Sequence, residues 1–212
     1  MKGKKIFKIV LIVILVIVVL ILANTIRKFV IVKDLQNKIS KYTSSNNFYM
    51  IVESDNTING KKGKTEYYKK DDKELLIMYV SLDSGDAKIS SYNNGKRIDT
   101  FTEGPDYKRA DIDSNFTSKV SIVNGIDDTG TDLNTFLACM IGLRISSTKY
   151  NDIDCYLVKL GKDEYYIEKD TGLLLKSVVS NANIYTYRSY EFDNVEDSIF
   201  IEPDISEYEI VK

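Results

Sequence analysis

The chain is predicted to be α+β: an N-terminal transmembrane helix followed by a curved antiparallel sheet, an incomplete β-barrel, packed with one or two helices. Three observations lead there. Residues 9–23 read IVLIVILVIVVLILA, fifteen positions without a polar side chain. From residue 48 onward apolar residues recur with a period of two, the strand signature. Leu133, Phe136, Leu137, Met140 and Ile141 stand at i, i+3, i+4, i+7 and i+8, the helix signature.

Extended to Ile6–Ile26, the apolar run has the roughly 20 residues that a bilayer's hydrocarbon core requires. Lys8 lies near enough to its edge to snorkel. The competing reading is a cleaved signal peptide. Its best site, Ile21-Leu22-Ala23, puts a bulky residue where a small one is wanted, so an uncleaved anchor is favoured. Lys2, Lys4, Lys5 and Lys8 precede the run and Arg27 and Lys28 follow it. That excess of N-terminal positive charge predicts a cytoplasmic N-terminus and an extracellular C-terminal domain in a single-pass cell-membrane protein.

The expected organisation is a tail and transmembrane helix over 1–28, a juxtamembrane helix or linker over 29–46, and an extracytoplasmic β-rich domain over 47–212. Val32, Leu35, Ile39 and Tyr42 form one apolar stripe, so the second helical stretch is expected to continue the first and dock on the domain. Residues 29–212 carry 23 basic against 31 acidic residues, a net charge of −8. Such a surface repels phosphate backbones, and no nucleic-acid partner is expected.

Strands are expected at 48–53, 65–70, 74–80, 87–92, 96–101, 119–123, 153–160, 164–169, 173–180 and 184–192, in antiparallel succession. Asn94-Gly95 is read as a type I′ hairpin turn. Residues 102–117 read as loop, and 199–211 as an extended stretch interrupted at Pro203. The helix near 131–141, capped by Thr131 or Asp132, is expected to cover the sheet. Leu75 to Val80 is apolar on both faces. The sheet must therefore be covered twice or curve round an apolar interior. Without βαβ alternation, a nucleotide-binding crevice is disfavoured.

Chemistry is sparse. With no histidine, Ser-His-Asp and Cys-His nucleophile systems and nearly all catalytic zinc sites fall away. Ser146-Ser147-Thr148-Lys149 and Ser54-Asp55-Asn56 echo penicillin-binding motifs, but in reversed order and without the Lys-Thr-Gly strand, so capping and turn roles are expected. Asp111-Ile112-Asp113-Ser114-Asn115 starts like a calcium loop, yet Phe116 replaces the required glycine and Ile122 the final glutamate. Asn115-Phe116-Thr117 fits a glycosylation pattern that matters only outside bacteria. No cofactor or metal site is implied, and no enzyme. Cys139 and Cys155 either bridge, closing a loop of about 15 residues worth ~3 kcal/mol, or sit apart as buried thiols.

Glu164-Tyr165-Tyr166-Ile167-Glu168-Lys169-Asp170-Thr171-Gly172-Leu173-Leu174-Leu175-Lys176 resembles a hairpin of the lipoprotein-carrier (LolA-like, RseB-like) superfamily. There a strand ends in an acidic residue, turns through Thr-Gly and returns apolar. Asn194 to Pro203 is similar to that family's ending. The resemblance implies an incomplete antiparallel barrel wrapped on a helix, enclosing an apolar cavity for acyl chains or offering a sheet face to partners. Soluble carriers shuttle and a tethered domain cannot, so a membrane-tethered, Gram-positive-type member is the nearer comparison. The expected cavity lining is Ile77, Tyr79, Phe136, Met140, Leu157, Val178 and Tyr187. Tyr165, Tyr166, Tyr185, Tyr187 and Tyr190 either line that cavity or form cross-strand pairs. The function expected is non-enzymatic binding of a lipid, a lipoprotein or an envelope partner. An envelope-stress sensor or regulatory interaction protein is the alternative.

Overall fold

A computed structural model describes residues 2–56, 60–82, 85–114 and 132–211. One helix, α1 (Lys2–Thr43), runs unbroken through the apolar stretch and into the domain. No glycine or proline interrupts it after Gly3. From Ile6 to Leu22 its apolar side chains are exposed. Among the described residues, α1 is the helix long and apolar enough to cross a membrane. Beyond Arg27 its character changes. Val32, Leu35 and Ile39 are buried and Tyr42 packs beside them, as their spacing predicts.

The chain then forms β1 (Asn47–Asn56), β2 (Lys61–Lys70), β3 (Lys73–Leu82), β4 (Gly85–Asn93), β5 (Ile98–Glu103) and β6 (Lys108–Asp111). Next come α2 (Asp132–Ile141), β7 (Leu143–Tyr150), β8 (Ile153–Leu160), β9 (Asp163–Glu168), β10 (Leu174–Val179), β11 (Ile184–Phe192) and β12 (Glu209–Val211). All twelve strands make one open sheet in the order β12-β6-β5-β4-β3-β2-β1-β11-β10-β9-β8-β7. Two meanders meet where β1 pairs with β11. The sheet does not close, and it is antiparallel except for the β12–β6 pair.

Several sequence expectations are corrected. Lys108–Asp111 is a strand within the stretch read as loop. Ser146 to Lys149 lie in strand β7, where residues alternate across the sheet, and serve no cap or turn. The β4–β5 connection spans residues 94–97. Gly95 alone takes a positive φ there (81°), so the turn is not type I′. The Asn94 side-chain oxygen instead accepts from the backbone N–H groups of Lys96 and Arg97. The pair Asn151-Asp152 between β7 and β8 does have positive φ at both positions (48° and 64°). Those are the backbone angles of a type I′ turn, which Asn and Asp tolerate. The expected strand 119–123, the calcium-like loop's second half, Asn115-Phe116-Thr117 and the Thr131 cap lie outside the described residues.

The core lies between one face of the sheet and α1. Val32 and Leu35 pack with Cys139, Leu143, Ile145, Val158, Ile167 and Leu174. Ile39 packs with Phe48, Met50, Tyr67, Leu76 and Leu173. α1 thus occupies this side of the sheet. A smaller cluster of Phe101, Ala110 and Tyr208 lies on the opposite face. There the C-terminal segment straps the sheet: a 3-10 turn (Asp197–Phe200) packs against β3. Its Asp197 carboxylate accepts from Lys70 and Lys73 at 3.0 and 3.1 Å.

Gly172, in the turn between β9 and β10, is where this hairpin meets the helix. Its φ is +76°, and a Cβ there would stand 2.7 Å from the Leu35 carbonyl oxygen. The Thr171 hydroxyl bonds to the Glu168 carboxylate, and the Leu173 N–H donates to Thr171 Oγ1. Lys38 Nζ donates to the Lys169 carbonyl at 2.7 Å, tying the same turn to α1.

Cys139 and Cys155 are free, buried thiols. Cys139 belongs to the cluster beneath α1 that includes Val158. Cys155, three residues before Val158 in β8, faces the other way. The sheet separates them, so the second alternative of the sequence reading is the one realised. Burial pushes both thiols up.

Candidate functional site

The face of the sheet turned away from α1 carries a row of side chains that the register aligns. Directly opposed residues of neighbouring strands share a face. Glu103 opposes Lys88, which opposes Tyr79, Lys64 and then Glu53. Glu53 opposes Tyr187, which opposes Lys176, Tyr166, Leu157 and finally Ser146. The row crosses ten strands and never interrupts its register.

Two features develop along it. At the β1–β4 end is an open cavity of about 500 Å³, walled by Glu53, Asp55, Lys62, Lys64, Asp86, Lys88 and Glu103, with Tyr79 and Tyr187 among them. The intervening residues Ser54, Gly63, Val80 and Ala87 also border it and, by strand alternation, offer it backbone. Four carboxylates face three ammonium groups. Glu66 holds Lys64 through a 2.6 Å ion pair, and that hydrogen bond raises the Lys64 pKa above the ordinary lysine value. Lys64 Nζ also lies 5.6 Å from the Tyr79 ring. Charged heads therefore stand round walls whose apolar part comes from tyrosine rings, Val80, Ala87 and lysine stems.

At the β9–β11 end, Lys176 Nζ stands among four tyrosine rings. It is 5.3 Å from Tyr166, 5.5 Å from Tyr187, 5.6 Å from Tyr150 and 6.0 Å from Tyr185. Each cation–π contact at such a half-buried site is worth about 0.5–2 kcal/mol. Partial burial, and then the neighbouring carboxylate or hydroxyl, pushes the Tyr166 and Tyr187 hydroxyls up, so both stay neutral at physiological pH. Tyr187 belongs to both features and joins them.

Five of the seven residues expected to line a cavity lie on this face. Tyr79, Leu157 and Tyr187 are in the row itself. Val178 and Ile77 each stand two residues along their strands from it, with Ile77 buried. Of these, Tyr79 and Tyr187 border the cavity. Phe136 and Met140 are on α2, which packs at the α1 side, so the seven do not share a wall. Tyr166, Tyr185 and Tyr187 face away from α1. Tyr165 packs against the cluster beneath α1, and the Tyr190 hydroxyl donates to the Leu174 carbonyl. The charged members Glu53, Lys64, Lys88, Glu103 and Lys176 were not among the residues expected to line a site. Their juxtaposition depends on pairing between strands far apart in the chain. The local signal available was their period-two alternation with apolar residues.

No protein-family model matches the chain, and no curated protein matches it. Among solved structures it is similar to a chain in the crystal structure of MucB in complex with MucA(peri), at 13% identity and a TM-score of 0.40, covering 79% of this chain and 58% of that one. A chain of the Pseudomonas aeruginosa MucA/MucB complex gives 15% identity and a TM-score of 0.42, covering 85% and 63%. A DUF1329 family protein from Desulfovibrio piger gives 13% identity and a TM-score of 0.31, covering 79% and 95%. The chain thus spans about six-tenths of the length of the first two matches.

Proposed function

We propose that this protein is a membrane-tethered, extracytoplasmic binding domain that engages an envelope polypeptide, without catalysis, through the sheet face turned away from α1. Residues 6–26 form the tether, with the lysine-rich N-terminus in the cytoplasm. The observation that carries the reading is the row from Glu103 to Leu157, with its ionic cavity and tyrosine-ringed lysine. Alternating charges and aromatic rings suit a polypeptide, which offers both backbone polar groups and side-chain charge. The seven charged side chains round the cavity would find no polar partner in an acyl chain alone, and on the other face α1 already occupies the core. The lipoprotein partner and the Gram-positive-type kinship that the resemblance implies are one form of the same proposal.

A photo-crosslinking residue at position 187 in intact cells tests it, with position 147 as the control on the other face. A discrete protein adduct from 187, lost on Tyr79→Ala or Lys176→Glu, is expected. Adducts to lipid alone, or equal adducts from both positions, would remove the reading. Protease added outside intact cells should digest the domain, and a protected domain would reverse the topology.

The regulatory alternative has its own support: α1 passes without a break from the apolar stretch into the core. If that role holds, deletion changes a defined set of transcripts.

A further inference from the structure

α2 is built inside out. Its small polar positions face the protein, Thr135 at 1% and Cys139 at 0% exposure, while Leu133 (66%), Leu137 (40%), Met140 (40%) and Ile141 (80%) face outward. The four fall on one helical stripe. A helix covering a sheet in water shows the reverse arrangement. Burying one such side chain is worth about 1.5–3 kcal/mol, so four left in water forgo a large stabilisation. The arrangement is favourable where the medium outside α2 is itself apolar.

The position of α2 supplies such a medium. The Phe136 ring lies 5.8 Å from Phe29 of α1, edge-on. Lys28 Nζ donates to the Cys139 carbonyl at 3.0 Å, and Arg27 donates to the Ile145 carbonyl at 3.2 Å. These contacts hold α2 at the level of residues 27–29. Ile26, the end of the apolar stretch, is within one helical turn of about 5.4 Å. The outward stripe therefore continues the exposed apolar surface of α1. Leu160, also exposed, packs beside Gly142 just past the end of α2 and extends it. Arg144, exposed two residues beyond Gly142, and Lys162, exposed two residues beyond Leu160, bring positive charge to this end of the domain.

We infer that α2 is an interfacial helix, lying in the outer leaflet of the bilayer that α1 crosses, with Leu133, Leu137, Met140 and Ile141 dipped among the acyl chains and Arg144 and Lys162 toward anionic headgroups. It rests on the reading of residues 6–26 as a membrane span. Insertion to the headgroup–acyl boundary, about 5–10 Å deep, matches one apolar stripe on a short helix. The domain is then held at two places and keeps one orientation to the membrane.

Full-length protein in vesicles of phosphatidylcholine and phosphatidylglycerol tests this. A single environment-sensitive fluorophore is placed through Leu137→Cys, Ile141→Cys, Leu15→Cys or Asn94→Cys. It is quenched by lipids bearing a nitroxide near the headgroup or deep in the chain, and by aqueous iodide. Labels at 137 and 141 should be quenched by the shallow nitroxide about twofold more than the label at 94. The label at 15 should respond best to the deep nitroxide. If 15 reads deep while 137 and 141 are as open to iodide as 94, the inference falls and the tether stands. If 15 also reads aqueous, both fall. Labels at 137 and 141 shielded from every quencher would mean that a second copy or another protein covers α2, which overturns the lipid assignment.

Discussion

The lower and upper parts of α1 use similar residues in opposite ways. From Ile6 to Leu22 the helix is apolar nearly all round, and among the described residues none covers it. From Phe29 to Thr43 most apolar residues lie toward the sheet, with Val32, Leu35 and Ile39 fully buried and Val30 left exposed on the other side. A helix apolar on every side needs a surrounding that is apolar on every side, whereas a stripe needs one partner. The change occurs at Thr25, which is buried and returns its hydroxyl to the Ile21 carbonyl at 2.9 Å. The same side chains thus contribute to domain stability in one part and contribute nothing to it in the other.

Substitutions on either side of Thr25 test that contrast. Leu35→Ala should lower domain stability by about 2–5 kcal/mol, the cost of a core cavity. Leu15→Ala should leave it unchanged. Denaturant unfolding of the full chain in mild detergent measures both, and an equal effect would dissolve the distinction. Gly172→Ala comes next. A side chain at φ +76°, directed at the Leu35 carbonyl, should cost about 1–3 kcal/mol and loosen the upper part alone.

How far these roles could be read in advance differs along the chain. The docking stripe was legible because Val32, Leu35, Ile39 and Tyr42 repeat locally. β7 was not, since Arg144 to Lys149 offers one apolar residue, Ile145, and an edge strand needs few. β6 escaped for a similar reason: its buried residue is Ala110, which carries little strand signal. The row across the far face was beyond local reading. It exists because β1 pairs with β11, Glu53 opposing Tyr187 from 134 residues away, and no window of sequence contains both. α2 was legible as a helix, but its orientation was not. The expectation that its apolar face covers the sheet reverses in the structure, where Thr135 and Cys139 are the buried positions.

At the junction itself, Lys28→Met should cost about 1 kcal/mol through the lost bond to the Cys139 carbonyl. Amide exchange at residues 25–31 should rise with it, and an unchanged rate would mean that α2 is held by other contacts. The smallest effect is one of pH. Burial, with a carboxylate beside each, pushes the hydroxyls of Tyr67 and Tyr208 above the ordinary tyrosine value of about 10. The unfolded chain then releases these protons first, so stability present below pH 10 falls as pH rises past it. Tyr208→Phe should flatten that alkaline decline, and Leu15→Ala should leave it as it is.

Arg27 and Lys28 donate to carbonyls of β7 and α2 immediately above the apolar stretch, with no flexible residue between. The apolar stretch and the sheet are therefore joined as a single lever. If the far face is gripped as proposed, the torque would travel down an unjointed shaft, and tilt or spin whatever that shaft touches below.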